Sequence, residues 1–147
     1  MHPLREMPIG ERVRPRSAVV MVIDDDAEMR AMLRDFLMSE GFRVREAPTG
    51  DRVIDTLEAE EPEAVVLDKE MPGVNGLDLL AYVHHRRPAI PVILITAFGG
   101  PEVEAEALRR GAARYIEKPF RVGALLEAVR AAVERGPERP PRVADRP

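Results

Sequence analysis

Apolar residues in this chain fall into two alternating patterns, short unbroken runs and spaced stripes. Residues 18–24 (AVVMVID) are apolar up to the closing acid and rich in β-branched side chains, the mark of a strand buried on both faces. Residues 27–40 place Met29, Met32, Leu33, Phe36 and Leu37 at i, i+3, i+4, i+7 and i+8, one side of a helix. Asp26 stands where that helix wants an N-cap, and Gly41 suits its stop. Residues 42–47 (FRVREA) alternate apolar and charged, as a more exposed edge strand does. Residues 49–60 predict a second helix, with Thr49 as N-cap and Val53, Ile54 and Leu57 facing inward. Residues 64–68 (AVVLD) are a second buried strand. Met71-Pro72-Gly73 and Asn75-Gly76 then mark a loop. Residues 77–87 read as a helix closed by Pro88, and 91–96 (PVILIT) as a third buried strand. Gly99-Gly100-Pro101 opens a helix running to Gly111. Residues 114–117 form a short strand, and 121–135 a last amphipathic helix carrying Val122, Leu125, Leu126, Val129 and Val133.

Five strand–helix units in succession predict an α/β fold, a parallel sheet covered by helices on both faces with right-handed crossovers. A buried first strand beside an edge-like second favours the order 2-1-3-4-5. The switch point of that order lies between the first and third strands, and open α/β sheets place their chemistry at such strand ends. Asp24, Asp25 and Asp68 all project there.

The length of 147 residues fits one domain, 18–135, flanked by an irregular tail at 1–17 and a Pro/Arg-rich tail at 136–147. Seven of the fourteen prolines lie in those two tails, where they block helix and remove backbone donors. The net charge of −4 is uneven: the tails carry +2 and +1, which leaves −7 on the central segment. So acidic a core argues against broad contact with nucleic acid, and no direct DNA binding by this chain is expected. Cysteine is absent, which excludes disulfides and thiolate metal sites and is compatible with a reducing cytoplasm. The apolar run at 18–23 is far too short for a membrane span. A soluble, cytoplasmic protein is expected.

Carboxylates as close as Asp24, Asp25 and Asp68 repel one another, by about 4 kcal/mol per pair at ~4 Å and an effective dielectric near ~20. Either their pKa values rise or a cation resolves the conflict. Oxygen ligands without His or Cys point to Mg²⁺, with Mn²⁺ also possible. Asp68 ends a rigid strand, where a carboxylate can attack a phosphorus centre and form an acyl phosphate. Lys118, before Pro119 at the end of the last strand, can pair with the empty acidic site and with a phosphoryl oxygen when loaded. The Thr96 hydroxyl can donate to the same group. Lys118-Pro119 is also a candidate cis bond. His84-His85, at the end of a helix beside Arg86 and Arg87, reads as a complement to the helix dipole.

The segments VMVIDDDAEMR, VVLDKEMPGVNGLDLL, VILITAFG and GAARYIEKPF resemble the hallmark segments of bacterial response-regulator receiver domains. The resemblance spans 18–135 with every segment in order. It implies the flavodoxin-like (βα)5 three-layer sandwich with sheet order 2-1-3-4-5. It also implies that a sensor histidine kinase or a histidine phosphotransfer protein phosphorylates Asp68. By the same resemblance Asp25 is the direct Mg²⁺ ligand and Asp24 its acidic neighbour acting through water. The Glu70 backbone carbonyl is the third protein ligand, and Lys118 binds the phosphoryl group. Thr96 and Tyr115 match the switch pair, in which the hydroxyl moves toward the phosphoryl group and the ring turns inward, biasing two pre-existing conformations. The face made by the fourth helix, last strand and last helix is then the partner surface, or a dimer surface on phosphorylation. Glu70 and Phe98, two residues beyond Asp68 and Thr96, offer no amide to orient an attacking water, so slow spontaneous dephosphorylation is expected.

Three other readings are weighed beside this one. The chain could be the receiver portion of a longer transcriptional regulator. A Mg²⁺-dependent aspartyl-phosphate phosphatase also uses a strand-end aspartate and wants a second carboxylate two residues later, where Glu70 stands. A flavodoxin-like cofactor binder needs a Ser/Thr/Gly-rich turn after the first strand, where this chain has three aspartates.

Overall fold

The computed structural model describes residues 18–135; the two segments read as tails, 1–17 and 136–147, lie outside the described residues. Five parallel strands form one sheet: β1 (Val19–Ile23), β2 (Arg43–Ala47), β3 (Ala64–Asp68), β4 (Val92–Thr96) and β5 (Arg114–Glu117), in the order β2-β1-β3-β4-β5. The helices between and after them are α1 (Ala27–Ser39), α2 (Val53–Ala59), α3 (Gly76–Arg86), α4 (Pro101–Arg109) and α5 (Val122–Arg135). This is the expected order, with β1, β3 and β4 buried along their whole length and β2 alternating toward solvent.

Successive strand residues point to opposite faces, and the core divides accordingly. Val20 and Val22 of β1 join Val66, Ile93, Leu33 and Leu37 of α1, and Leu125 and Val129 of α5. Met21 and Ile23 join Val65, Leu67, Leu94, Leu57 of α2, Leu80 of α3 and Ala107 of α4. Two helices therefore cover one face and three the other. Burying each such aliphatic side chain stabilises the fold by about 1.5–3 kcal/mol, so the central strands are the most rigid platform available for a site.

Helix ends follow their local chemistry. Asp26 caps α1, its carboxylate accepting from the amides of Glu28 at 2.9 Å and Met29 at 3.3 Å. Asn75 caps α3 in the same way through Leu77 and Asp78. Thr49 departs from expectation. Residues 50–52 form a 3₁₀ turn ahead of α2, and Thr49 precedes it in extended conformation without a side-chain capping bond. That tighter turn closes through the Arg52 amide on the Thr49 carbonyl, which substitutes for a hydroxyl cap.

The predicted loop after β3 contains a small antiparallel hairpin, Glu70–Met71 with Val74–Asn75, turning at Gly73 with φ +72°. Gly76 packs so closely on Lys69 that a Cβ there would collide with the Lys69 main chain. The loop is therefore held against the end of β3. The Lys118–Pro119 bond is cis.

Candidate functional site

Adjacent strands bring distant acids together. β1 and β3 pair with Ile23 opposite Leu67, so Asp24 and Asp68 leave the sheet side by side. One carboxylate oxygen from each of Asp24, Asp25 and Asp68 lies within 4.8 Å of the others. Asp24 and Asp68 are only 3% and 4% exposed, whereas Asp25 faces solvent. Asp24 Oδ1 accepts from the Asp26 amide at 2.9 Å. Asp68 Oδ1 accepts from the Glu70 amide at 3.3 Å and from Lys118 Nζ at 3.1 Å.

Burial pushes the Asp24 carboxyl up to about 6 despite the Asp26 amide, and Asp68 and Asp25 push the same way. Burial likewise raises Asp68, with Lys118 opposing it. The charges are crowded beyond what one ammonium relieves. An oxygen-only donor set in that condition fits a hard divalent cation. The groups placed to hold it are the Asp24, Asp25 and Asp68 carboxylates.

β4 and β5 supply the other wall. Thr96 pairs with Glu117, and the Lys118 amide donates to the Thr96 carbonyl at 2.8 Å, which sends the Lys118 side chain toward Asp68. Thr96 is fully buried. Its hydroxyl donates to Glu70 Oε2 at 2.5 Å and accepts from the Phe98 amide at 3.0 Å. The Ala97 amide donates to Glu70 Oε1 at 2.8 Å, and Lys69 Nζ lies 3.0 Å from Glu70 Oε2. Burial works against the Glu70 charge, yet Thr96, Ala97 and Lys69 together hold its carboxyl below the ordinary value.

Tyr115 is half-buried, and its hydroxyl donates to Glu117 Oε2 at 2.9 Å and accepts from the Gly100 amide at 3.1 Å. Burial first, then Glu117, raises the phenol above its ordinary value. A Cβ at Gly99 would collide with this hydroxyl. The ring tip thus rests on the loop between β4 and α4, at the far end from Thr96.

Asp24, Asp25, Asp68, Thr96 and Lys118 stand at the strand ends where the sequence puts them, whereas Tyr115 stands inside β5, opposite Leu94. Sequence reasoning named Glu70 for its carbonyl and its charge but not for the contacts of its side chain, and it overlooked Arg30. The Glu70 side chain engages Thr96 and Ala97, and Arg30 on α1 donates to the Asp24 carbonyl at 2.7 Å while braced on Glu46 at 3.0 Å. The available hint for Arg30 was Glu46, which breaks the apolar–charged alternation of β2 by standing in phase with Val44, on the side packed against α1.

Residues 20–130 match the model of the response regulator receiver domain. The chain belongs to that family. This receiver is 40% identical over 116 residues to the C4-dicarboxylate transport transcriptional regulatory protein DctD of Pseudomonas aeruginosa, covering 78% of this chain and 25% of that protein. It is 36% identical over 124 residues to the transcriptional regulatory protein FixJ of Azorhizobium caulinodans, covering 84% of this chain and 59% of that one. The chain therefore spans about a quarter of the length of the first relative and somewhat over half of the second. Among solved structures, the receiver domain of NtrX from Brucella abortus is 32% identical with a TM-score of 0.73, covering 78% of this chain and 98% of that chain. A Francisella response regulator receiver domain is 25% identical with a TM-score of 0.76, covering 81% and 98%. The flavodoxin-like fold and the role of phosphoacceptor receiver in two-component signalling follow from this membership. Receivers of this family generally bind Mg²⁺ at the acidic pocket, and their partners are histidine kinases. No helix among the described residues is long and apolar enough to cross a membrane.

Proposed function

We propose that Asp68 is the residue phosphorylated, on a carboxylate oxygen, by a sensor histidine kinase or a histidine phosphotransfer protein. The observation that carries this reading is the convergence of Asp24, Asp25 and Asp68 within 4.8 Å with Lys118 Nζ 3.1 Å from Asp68. The Asp68 oxygen forms a bond to phosphorus as the P–N bond of the donor phosphohistidine breaks, its electron pair returning to the imidazole. Mg²⁺, when bound by Asp24, Asp25, Asp68 and the Glu70 carbonyl, supplies neutralisation of the phosphoryl oxygens. Asp25, the exposed member, would hold it directly and Asp24 would act through water. Lys118 turns from the free carboxylate to a phosphoryl oxygen, and Thr96 donates to another.

The switch couples Thr96 to Tyr115 through the β4–α4 loop, whose backbone both residues touch, and its output surface is the α4-β5-α5 face. That face binds a partner or a second copy on phosphorylation. The receiver promotes only the gain and loss of its own phosphoryl group, acts in the cytoplasm and leaves DNA contact to other domains or partners. The acidic balance of the central segment supports the last point. Both oxygens of Glu70 are engaged by Thr96, Ala97 and Lys69, which favours a receiver over a phosphatase with Glu70 as acid/base.

Incubation with acetyl phosphate and Mg²⁺ should add one phosphoryl group by mass spectrometry, and none to Asp68→Ala. Turnover of small phosphomonoesters would contradict the reading.

A further inference from the structure

We propose that the Glu70 carboxylate is a resident competitor for the phosphoryl group. It fills part of the phosphoryl-oxygen site and must be evicted before that site can be occupied. This rests on the reading of Asp68 as phosphoacceptor, and deepens it. An acyl phosphate on Asp68 needs donors for its peripheral oxygens. The wall facing Asp68 is β4, which pairs with β3 so that Asp68 lies opposite Ile95, one residue before Thr96. The donors at that strand end are the Thr96 hydroxyl, the Ala97 amide and, from β5, Lys118 Nζ.

Two of those three are already taken by Glu70, while Lys118 rests on Asp68 itself. Thr96 donates to Glu70 Oε2 and Ala97 to Glu70 Oε1, so one carboxylate bridges both donors as two oxygens of a phosphoryl group would. Each donor has a single proton and serves one strong acceptor at a time. The Glu70 amide meanwhile bonds the Asp68 carboxylate, so the competitor is tethered to the same turn as the phosphoacceptor. Its effective concentration at the two donors is high for that reason.

Eviction has a route. The Glu70 side chain is 26% exposed and pairs with Lys69 Nζ, which is not a donor at the strand end and can follow it outward. Phosphorylation is then an exchange of anions at Thr96 and Ala97. The Phe98 amide, bonded to Thr96 Oγ1, carries the rearrangement into the loop that ends against Tyr115. Glu70 thus sets how readily the site accepts a phosphoryl group.

The test titrates beryllium fluoride, a mimic of the phosphoryl group on carboxylates, in the presence of Mg²⁺ and follows bound fluoride by ¹⁹F NMR. Wild type, Glu70→Ala, Glu70→Asp and Asp68→Asn are compared. Glu70→Ala should lower the half-saturating concentration by about tenfold or more, the scale of freeing even one hydrogen bond from a charged acceptor. Glu70→Asp keeps the charge but is one methylene too short to bridge both donors, and should share most of the gain. A Glu70→Asp that binds no better than wild type reduces the effect to simple charge repulsion and overturns the proposal. Equal binding by Glu70→Ala and wild type does the same. The Ala97 amide proton should be protected from exchange in wild type and lose protection in Glu70→Ala; rapid exchange in wild type also overturns it. Failure of wild type to bind, or undiminished binding by Asp68→Asn, brings down the phosphoacceptor reading itself.

Discussion

Asp24 is the residue most at odds with its surroundings. Its carboxyl is raised from 3.8 to about 6, chiefly by burial, so the folded protein holds a proton more tightly than the unfolded chain does. Stability from this group is present below the unfolded value and is lost as pH rises through about 6. In chelator at pH 7, Asp24→Asn should therefore be more stable than wild type, by up to about 3 kcal/mol, because its amide oxygen can still accept from Asp26. Near pH 4 the advantage should vanish, and Mg²⁺ should raise the melting temperature of wild type but hardly that of the variant. Arg30 acts on the same residue from behind. Removing its charged bond to the Asp24 carbonyl with Arg30→Ala should weaken Mg²⁺ binding about tenfold, as read by calorimetry. Glu70→Asn should speed spontaneous loss of the acyl phosphate several-fold, because the amide can orient a water and one negative charge is gone. A faster wild type would contradict that.

At the scale of elements, the buried runs of β1, β3 and β4 were readable because a strand covered on both faces must be apolar throughout. Asp24, Asp68 and Thr96 were then legible as the first polar residues after each run. The two-residue hairpin at 70–75 was not, since no periodicity exists over so few positions and its Pro-Gly turn reads as any loop. The missed Glu70 contacts have a different cause. They join residues 26 and 27 positions apart, and a carboxylate in a loop carries no pattern that names its partners. Thr49 misled because cap preference says which residue suits a helix start, not whether the first turn tightens to 3₁₀. The β4–α4 loop is held at one end by Glu70 and at the other by Tyr115 and Glu117. Gly99 permits the second hold, so Gly99→Ala should displace the Tyr115 ring. That would appear as a change in Tyr115 ring chemical shifts together with a melting temperature lower by a few degrees, because the ring packs against the edge of one core.

Taken whole, the molecule is a stiff sheet with a soft rim. Packing on both faces holds β1, β3 and β4 so that three acids meet without a partner adequate to their charge, and that unrelieved charge is the basis of the proposed chemistry. Core truncation should act differently from site substitution. Leu37→Ala, fully buried between α1 and the sheet, should cost about 2–5 kcal/mol of stability while the surviving folded fraction still accepts phosphate. Everything proposed turns on Asp68 receiving the phosphoryl group in a site completed by Asp24, Asp25 and Lys118. Intact-mass analysis after acetyl phosphate and Mg²⁺ tests it most directly. A single phosphoryl addition is predicted in wild type, none in Asp68→Ala, and little without Mg²⁺; addition that persists in Asp68→Ala would contradict the account.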